Sequence, residues 1–115
     1  MKTPLLALMG AAAFAAAGSA CAQGAADLSV TRGAHVAVRD CASCHAVGPA
    51  GDSPAADAPT FRALRLRFNP ISLEQRLSAL PARGHPVMPP RALSASDVPD
   101  LVAYIQTLGP AGRTP

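Results

Sequence analysis

Apolar residues recur at helical spacing in four stretches of this chain, and turn-forming residues separate them. From about Leu28 to Asp40, Leu28, Thr31, His35 and Val38 fall three or four positions apart with Val36 beside them, which predicts a helix with these residues on its inner face. Gly33 interrupts that face. A glycine inside a helix costs up to about 1 kcal/mol relative to alanine, so it calls for a packing reason, and close approach of another helix supplies one. A second helix opens at Thr60, a possible N-cap, with Phe61, Leu64 and Phe68 inside and Arg62, Arg65 and Arg67 mainly outside. A third follows Asn69-Pro70, with Leu73, Leu77 and Leu80 on one face and a possible Ser72/Gln75 capping box; Pro81 and Gly84 end it. The last begins at Ser94, with Asp97 as its reciprocal cap and Leu93 as half of a hydrophobic staple. It buries Leu101, Tyr104, Ile105 and Leu108 and stops at Gly109-Pro110.

Between the first two helices, residues 46–59 carry no periodicity, and Gly48-Pro49 and Ser53-Pro54 mark turns in a surface loop. Gly84 to Pro90 contains too much proline for regular structure and reads as an extended loop. No strand-helix-strand pattern and no internal repeat is present.

The N-terminal stretch differs from the rest. Lys2 supplies a positive charge, Pro4 to Ala17 is apolar, and Ala20-Cys21-Ala22 fits an Ala-x-Ala cleavage site, the pattern of a secretory signal peptide. This divides the chain into a signal peptide, 1–22, and one domain, 23–115, joined to the first helix by a short polar linker. Two other readings compete: an uncleaved, weakly apolar anchor, and lipidation at Cys21, which lacks the bulky aliphatic residue usual three positions earlier. Cleavage removes Cys21 and leaves Cys41 and Cys44 as the remaining thiols.

Composition sharpens the picture in one respect. With 115 residues, three Phe, one Tyr and no Trp, the chain is poor in large core side chains, and small domains are hard to stabilise by burial alone. A large apolar group bound inside would make up the deficit. The net charge of +3 is spread out and no aromatic residues are interleaved with it, which argues against nucleic acid.

Cys41-Ala42-Ser43-Cys44-His45 carries the chemistry. A Cys-x-x-Cys pair with histidine directly after it is the attachment signature for c-type haem. In a helical turn, positions i and i+3 share a face, so both thiols can add to the vinyl groups of one porphyrin edge while the histidine meets the iron. A thioredoxin-like pair would sit near a strand-helix-strand unit, and zinc would need further ligands at a spacing that His35, His85 and Cys21 do not provide. One covalently attached haem c is therefore expected, with iron bound by His45.

The sixth iron position decides the function. Met88 is the methionine that survives cleavage, in a proline-flanked loop before the last helix, and a methionine opposite a histidine is the usual pairing in electron-transfer cytochromes. His85, in the same loop, is the rival, and could replace Met88 if the loop opened. His35 reads as a packing or surface residue.

Taken in order, the signal peptide, first helix, Cys41-x-x-Cys44-His45, central helices, Gly84-His85-Pro86-x-Met88-Pro89 loop and C-terminal Leu101-Val102-Ala103-Tyr104-Ile105 resemble a small bacterial class I cytochrome c. The resemblance spans essentially the whole mature chain. It implies an all-α fold of three to five short helices around the haem, with the first and last crossing and Gly33 opposite Tyr104 or its neighbours. Val36 and Ala37 stand where the family often has an aromatic residue. It also implies a proline carbonyl that accepts a hydrogen bond from the histidine ligand; Pro59 matches better than Pro49.

The expected function is a periplasmic electron carrier that docks transiently with redox partner proteins, monomeric in isolation. With Cys41 and Cys44 binding the haem and His45 and Met88 closing both iron positions, it takes no small-molecule substrate and is not an enzyme. The alternatives are a cytochrome subunit of a larger dehydrogenase or oxidase, and a haem sensor or ligand-binding protein in which a small gas replaces Met88. With no lysine after Lys2, a basic docking face would draw on Arg62, Arg65, Arg67, Arg83 and Arg91.

Overall fold

The computed structural model describes residues 10–80, 85 and 92–109, with side chains from Gly18 onward. Its elements are α1 (Gly10–Asp40), α2 (Phe61–Arg67), α3 (Pro70–Ser78) and α4 (Asp97–Thr107), with no strand among the described residues. The all-α expectation holds, but α1 is long rather than short. It runs without a break through the stretch expected to be a linker, because alanine dominates residues 10–26 and is the strongest helix former. Among the described residues, no helix is long and apolar enough to cross a membrane.

The most extensive helix contact is between α1 and α4, and α2 and α3 also pack against α4. The crossing is close. A Cβ on Gly33 would lie 2.6 Å from the carbonyl carbon of Asp100 and 2.8 Å from Cβ of Tyr104, and closer still to the Asp100 carbonyl oxygen. Glycine is required there because its missing side chain is the space that α4 occupies. Val36 and Ala37 extend the contact and are buried, so the crossing is tight without an aromatic residue in α1.

The inner face of α1 differs from the predicted one. Leu28 and Val38 are exposed, at 61% and 64%, as are Thr31 and His35. The face that packs is Gly33, Val36 and Ala37, preceded by Ser29 and Arg32, whose side chains bond the carboxylate of Asp100. The nearly buried Asp100 thus has a hydroxyl and a bidentate guanidinium, which hold its pKa below the usual carboxylate range; the Arg32 hydrogen bonds are the larger cause and Ser29 the second.

Short helices need their caps. Thr60 accepts from the Ala63 amide at 3.2 Å, as expected for α2. The α3 cap is Asn69, which accepts from the Ser72 amide at 2.9 Å, with Pro70 in the first turn; the Ser72/Gln75 capping box is corrected to this. Asparagine is a cap of equal or better strength and sits one residue before a proline suited to the first helical position. The Ser94–Asp97 pair is present, but it closes the turn before α4 rather than capping it: the helix begins at Asp97, not Ser94, and its N-cap is Ser96, whose side chain makes no capping bond. Ser94 Oγ accepts from the Asp97 amide at 3.1 Å, and the Ser94 amide donates to the Asp97 carboxylate at 2.9 Å. The expected ends at Pro81, Gly84 and Pro110 lie outside the described residues.

The core gathers Val36 and Ala37 of α1, Phe61, Leu73 and Leu77 of α2 and α3, and the buried side of α4 from Val98 to Leu108. Leu73, Leu101 and Ile105 are its largest fully buried side chains. One wall of this core faces a cavity.

Candidate haem site

The cavity is built where α1 ends. Cys41 still donates to Ala37 O at 3.0 Å, and the chain then turns tightly, with the amides of Cys44 and His45 both donating to Cys41 O at 3.2 and 2.9 Å. This is the helical turn the motif needs, and Cys41, Cys44 and His45 all line the same cavity. Both cysteines are free thiols. Burial, with a smaller contribution from the Asp40 carboxylate, pushes the Cys41 thiol up to about 11 against the opposing effect of Arg39. Cys41 is therefore a neutral thiol inside an apolar wall.

His45 is held from behind. Its Nδ1 lies 2.7 Å from the carbonyl oxygen of Pro59. A carbonyl only accepts, so Nδ1 carries the proton, and Nε2 keeps its lone pair free for a metal. Pro59, rather than Pro49, supplies this contact. The ring also packs against Phe61, with centroids 5.7 Å apart. The loop that brings Pro59 into place is itself tethered: Ala55 donates to Cys44 O, Phe61 to Ala46 O, and Ser53 Oγ accepts from the Ala46 amide. Arg62 donates to the carbonyls of Gly48 and Gly51, and Gly51 adopts a φ of +89°, a left-handed conformation that glycine takes without strain. Tyr104 donates to Val47 O at 2.8 Å, tying the loop to α4.

The cavity measures about 420 Å³, within the roughly 300–1,000 Å³ usual for cofactor sites. Phe61, Leu64, Phe68, Leu73, Leu77 and Leu101 make its walls largely apolar. A flat apolar macrocycle with two vinyl groups and an iron fits this set: two thiols at one side, an oriented imidazole beside them, and aliphatic and aromatic surface around. Among the described residues no three His, Cys, Asp or Glu side chains converge on a common metal position.

The sequence profile of the cytochrome c family matches residues 30–109. The chain belongs to the cytochrome c family. Cytochrome c-552 of Bradyrhizobium diazoefficiens is 37% identical to the cytochrome described here over 78 residues, 68% of this chain and 73% of that protein. No solved structure matches it. The cytochrome is a haem-based electron carrier, and its cofactor is covalently attached haem c with iron.

Two arginines of the cytochrome, Arg62 and Arg65, are placed differently from their predicted roles. Arg62 and Arg65 are half-buried and bond backbone carbonyls, Arg65 that of Gln106 at 2.8 Å, so both serve the fold rather than a free docking face. Arg67 is exposed; Arg83 and Arg91 lie outside the described residues. His35 is exposed beside Arg32 and Arg39, away from the cavity. Met88 lies outside the described residues. His85 is described and lines the cavity, its ring centroid 6.0 Å from that of His45. The periodicity reading missed Phe61 as a neighbour of the histidine and Arg62 as the tether of the loop. The adjacency Pro59-Thr60-Phe61-Arg62 was the available signal, since a residue that carries the ligand's partner positions those next to it.

Proposed function

We propose that Cys41 and Cys44 form the two thioether links, that His45 and Met88 are the axial ligands, and that the chain is a periplasmic carrier of single electrons between redox partner proteins. The observation that carries this reading is the His45–Pro59 hydrogen bond, which orients a free Nε2 beside two thiols in an apolar cavity. The bound haem supplies one-electron chemistry, its iron alternating between Fe(III) and Fe(II). The chain's own residues do the rest. The Pro59 carbonyl raises the donor strength of His45. The thioether of Met88 favours the ferrous state and raises the potential. The apolar walls keep water from the site. With protein ligands on both sides no substrate reaches the iron, so the protein is not an enzyme; it takes neither nucleic acid nor a small-molecule substrate, docks transiently, and is monomeric in isolation.

Residues 1–22 are proposed to be a signal peptide and 23–115 the functional domain. Supporting this division, side chains 18–28 are exposed, and α1 joins the rest of the protein from about Ser29 onward. The absorption spectrum of the ferric holoprotein tests the ligand set. A methionine-to-iron charge-transfer band is expected, and it should vanish in Met88→Ala; a wild-type spectrum without that band would overturn the His/Met assignment.

A further inference from the structure

Asp40 stands in the wall of the cavity, one position before Cys41, and its side chain is only 5% exposed. Neither its place in the helix nor its burial favours a carboxylate. It is the last residue of α1, where the carbonyl end of the helix repels negative charge, and the wall around it is mostly apolar. Arg39 holds it with two bonds, Nε to Oδ1 at 2.9 Å and Nη2 to Oδ2 at 2.6 Å. Consecutive helix positions do not face each other, so the pair forms only because both side chains bend to one side. The Arg39 guanidinium is 49% exposed and also lies 3.9 Å from the Asp97 carboxylate at the start of α4. The pair is thus split across the protein surface, with its negative charge in the cavity wall and its positive charge in contact with water.

A charge in a low-dielectric wall acts more strongly than one that water screens. The Cys41 thiol registers the difference. Burial is the main cause of its raised pKa, the Asp40 carboxylate adds to it, and Arg39 opposes with the smallest effect of the three. A haem iron in the same cavity carries one more positive charge as Fe(III) than as Fe(II), so the two fields act on it with opposite sign. We infer that the Arg39–Asp40 pair sets the reduction potential of the haem, Asp40 lowering it by favouring Fe(III) and Arg39 cancelling part of that effect. Both residues act through their charge and stand outside the ligand set. The inference rests on covalent haem in this cavity and needs no assignment of the sixth ligand.

Midpoint potentials of holoprotein variants, measured by optical redox titration at neutral pH and fixed ionic strength, test it. Asp40→Asn keeps the size of the side chain and one acceptor oxygen, and should raise the potential. Arg39→Gln should lower it, and the double variant should fall between the two singles. Added salt should shrink the Arg39→Gln shift more than the Asp40→Asn shift, because Arg39 is the exposed partner. The visible spectrum should stay that of wild type in every variant, and circular dichroism with the haem content checks that each is folded. Arg39→Lys keeps the charge and should stay near the wild-type potential, so the Arg39 series decides the matter alone if Asp40→Asn does not fold. Shifts of the same sign in the two single variants, or a haem-loaded single variant with the wild-type potential, would overturn the inference. A wild-type protein that takes up no covalent haem would instead overturn the cofactor site, so the two failures are told apart.

Discussion

Gly33→Ala tests the helix crossing most directly. The added methyl would stand 2.6 Å from the Asp100 carbonyl carbon and 2.8 Å from Tyr104 Cβ, where carbon atoms pack best at about 3.5–4 Å. The helices must therefore part by roughly 1 Å, since the obstacles are backbone and the root of a side chain and no rotamer change clears them. Overpacking of this kind costs about 1–3 kcal/mol, and the rigidity of the obstacle places this site at the upper end. Alanine returns about 1 kcal/mol of helix propensity. The net expectation is a loss of about 2 kcal/mol, which for a domain of roughly 60–100 residues lowers Tm by about 8–16 °C. Thermal unfolding of the ferric holoprotein followed by circular dichroism measures it. Gly24→Ala is the control, because it lies in the same helix with open space around it; there propensity acts alone and stability should not fall. A Gly33→Ala protein as stable as wild type would refute the close approach of α1 and α4.

Two further outcomes follow from the contacts around that crossing. Tyr104→Phe removes the bond to Val47 O, made at 2.8 Å, and should lower the denaturant unfolding free energy by about 1 kcal/mol; an unchanged midpoint would show that the tie adds nothing. Asp100 has its folded pKa lowered by Arg32 and then Ser29, so its contribution to stability is complete above the usual carboxylate value of about 4 and is lost as pH falls through the depressed folded value. Unfolding midpoints measured across acid pH should fall less steeply in Asp100→Asn than in wild type, and equal slopes would remove Asp100 from the account.

Local chemistry was the most legible part of the sequence. Cys41-x-x-Cys44-His45 announces its geometry because covalent attachment imposes a fixed spacing, and Thr60 and the Ser94/Asp97 pair act within a few residues of themselves. Long-range choices were harder to read. The buried face of α1 was assigned to Leu28 and Val38 because periodicity counts apolar bulk, whereas a crossing this tight selects small residues, Gly33 and Ala37, and admits Ser29 and Arg32 through a carboxylate on another helix. Arg62 and Arg65 read as outward-facing candidates for a docking face because their carbonyl acceptors, at Gly48, Gly51 and Gln106, are fixed by the fold and leave no mark near the arginines in sequence. The resemblance to class I cytochromes supplied what periodicity could not, namely Gly33 against Tyr104 and the Pro59 carbonyl.

The pairing of the first helix with the last also sets an order of assembly. Asp100 meets Ser29 and Arg32 across sequence separations of 71 and 68 residues, so this contact forms only after nearly all of the domain has left the ribosome or the export channel. Such distant closures are late and slow relative to local turns. The Cys41–His45 turn, in contrast, is local and complete long before α4 exists. Until α4 docks, the side of the cavity that Leu101 walls off stands open beside both thiols. The last helix is therefore the wall of the cavity that closes last.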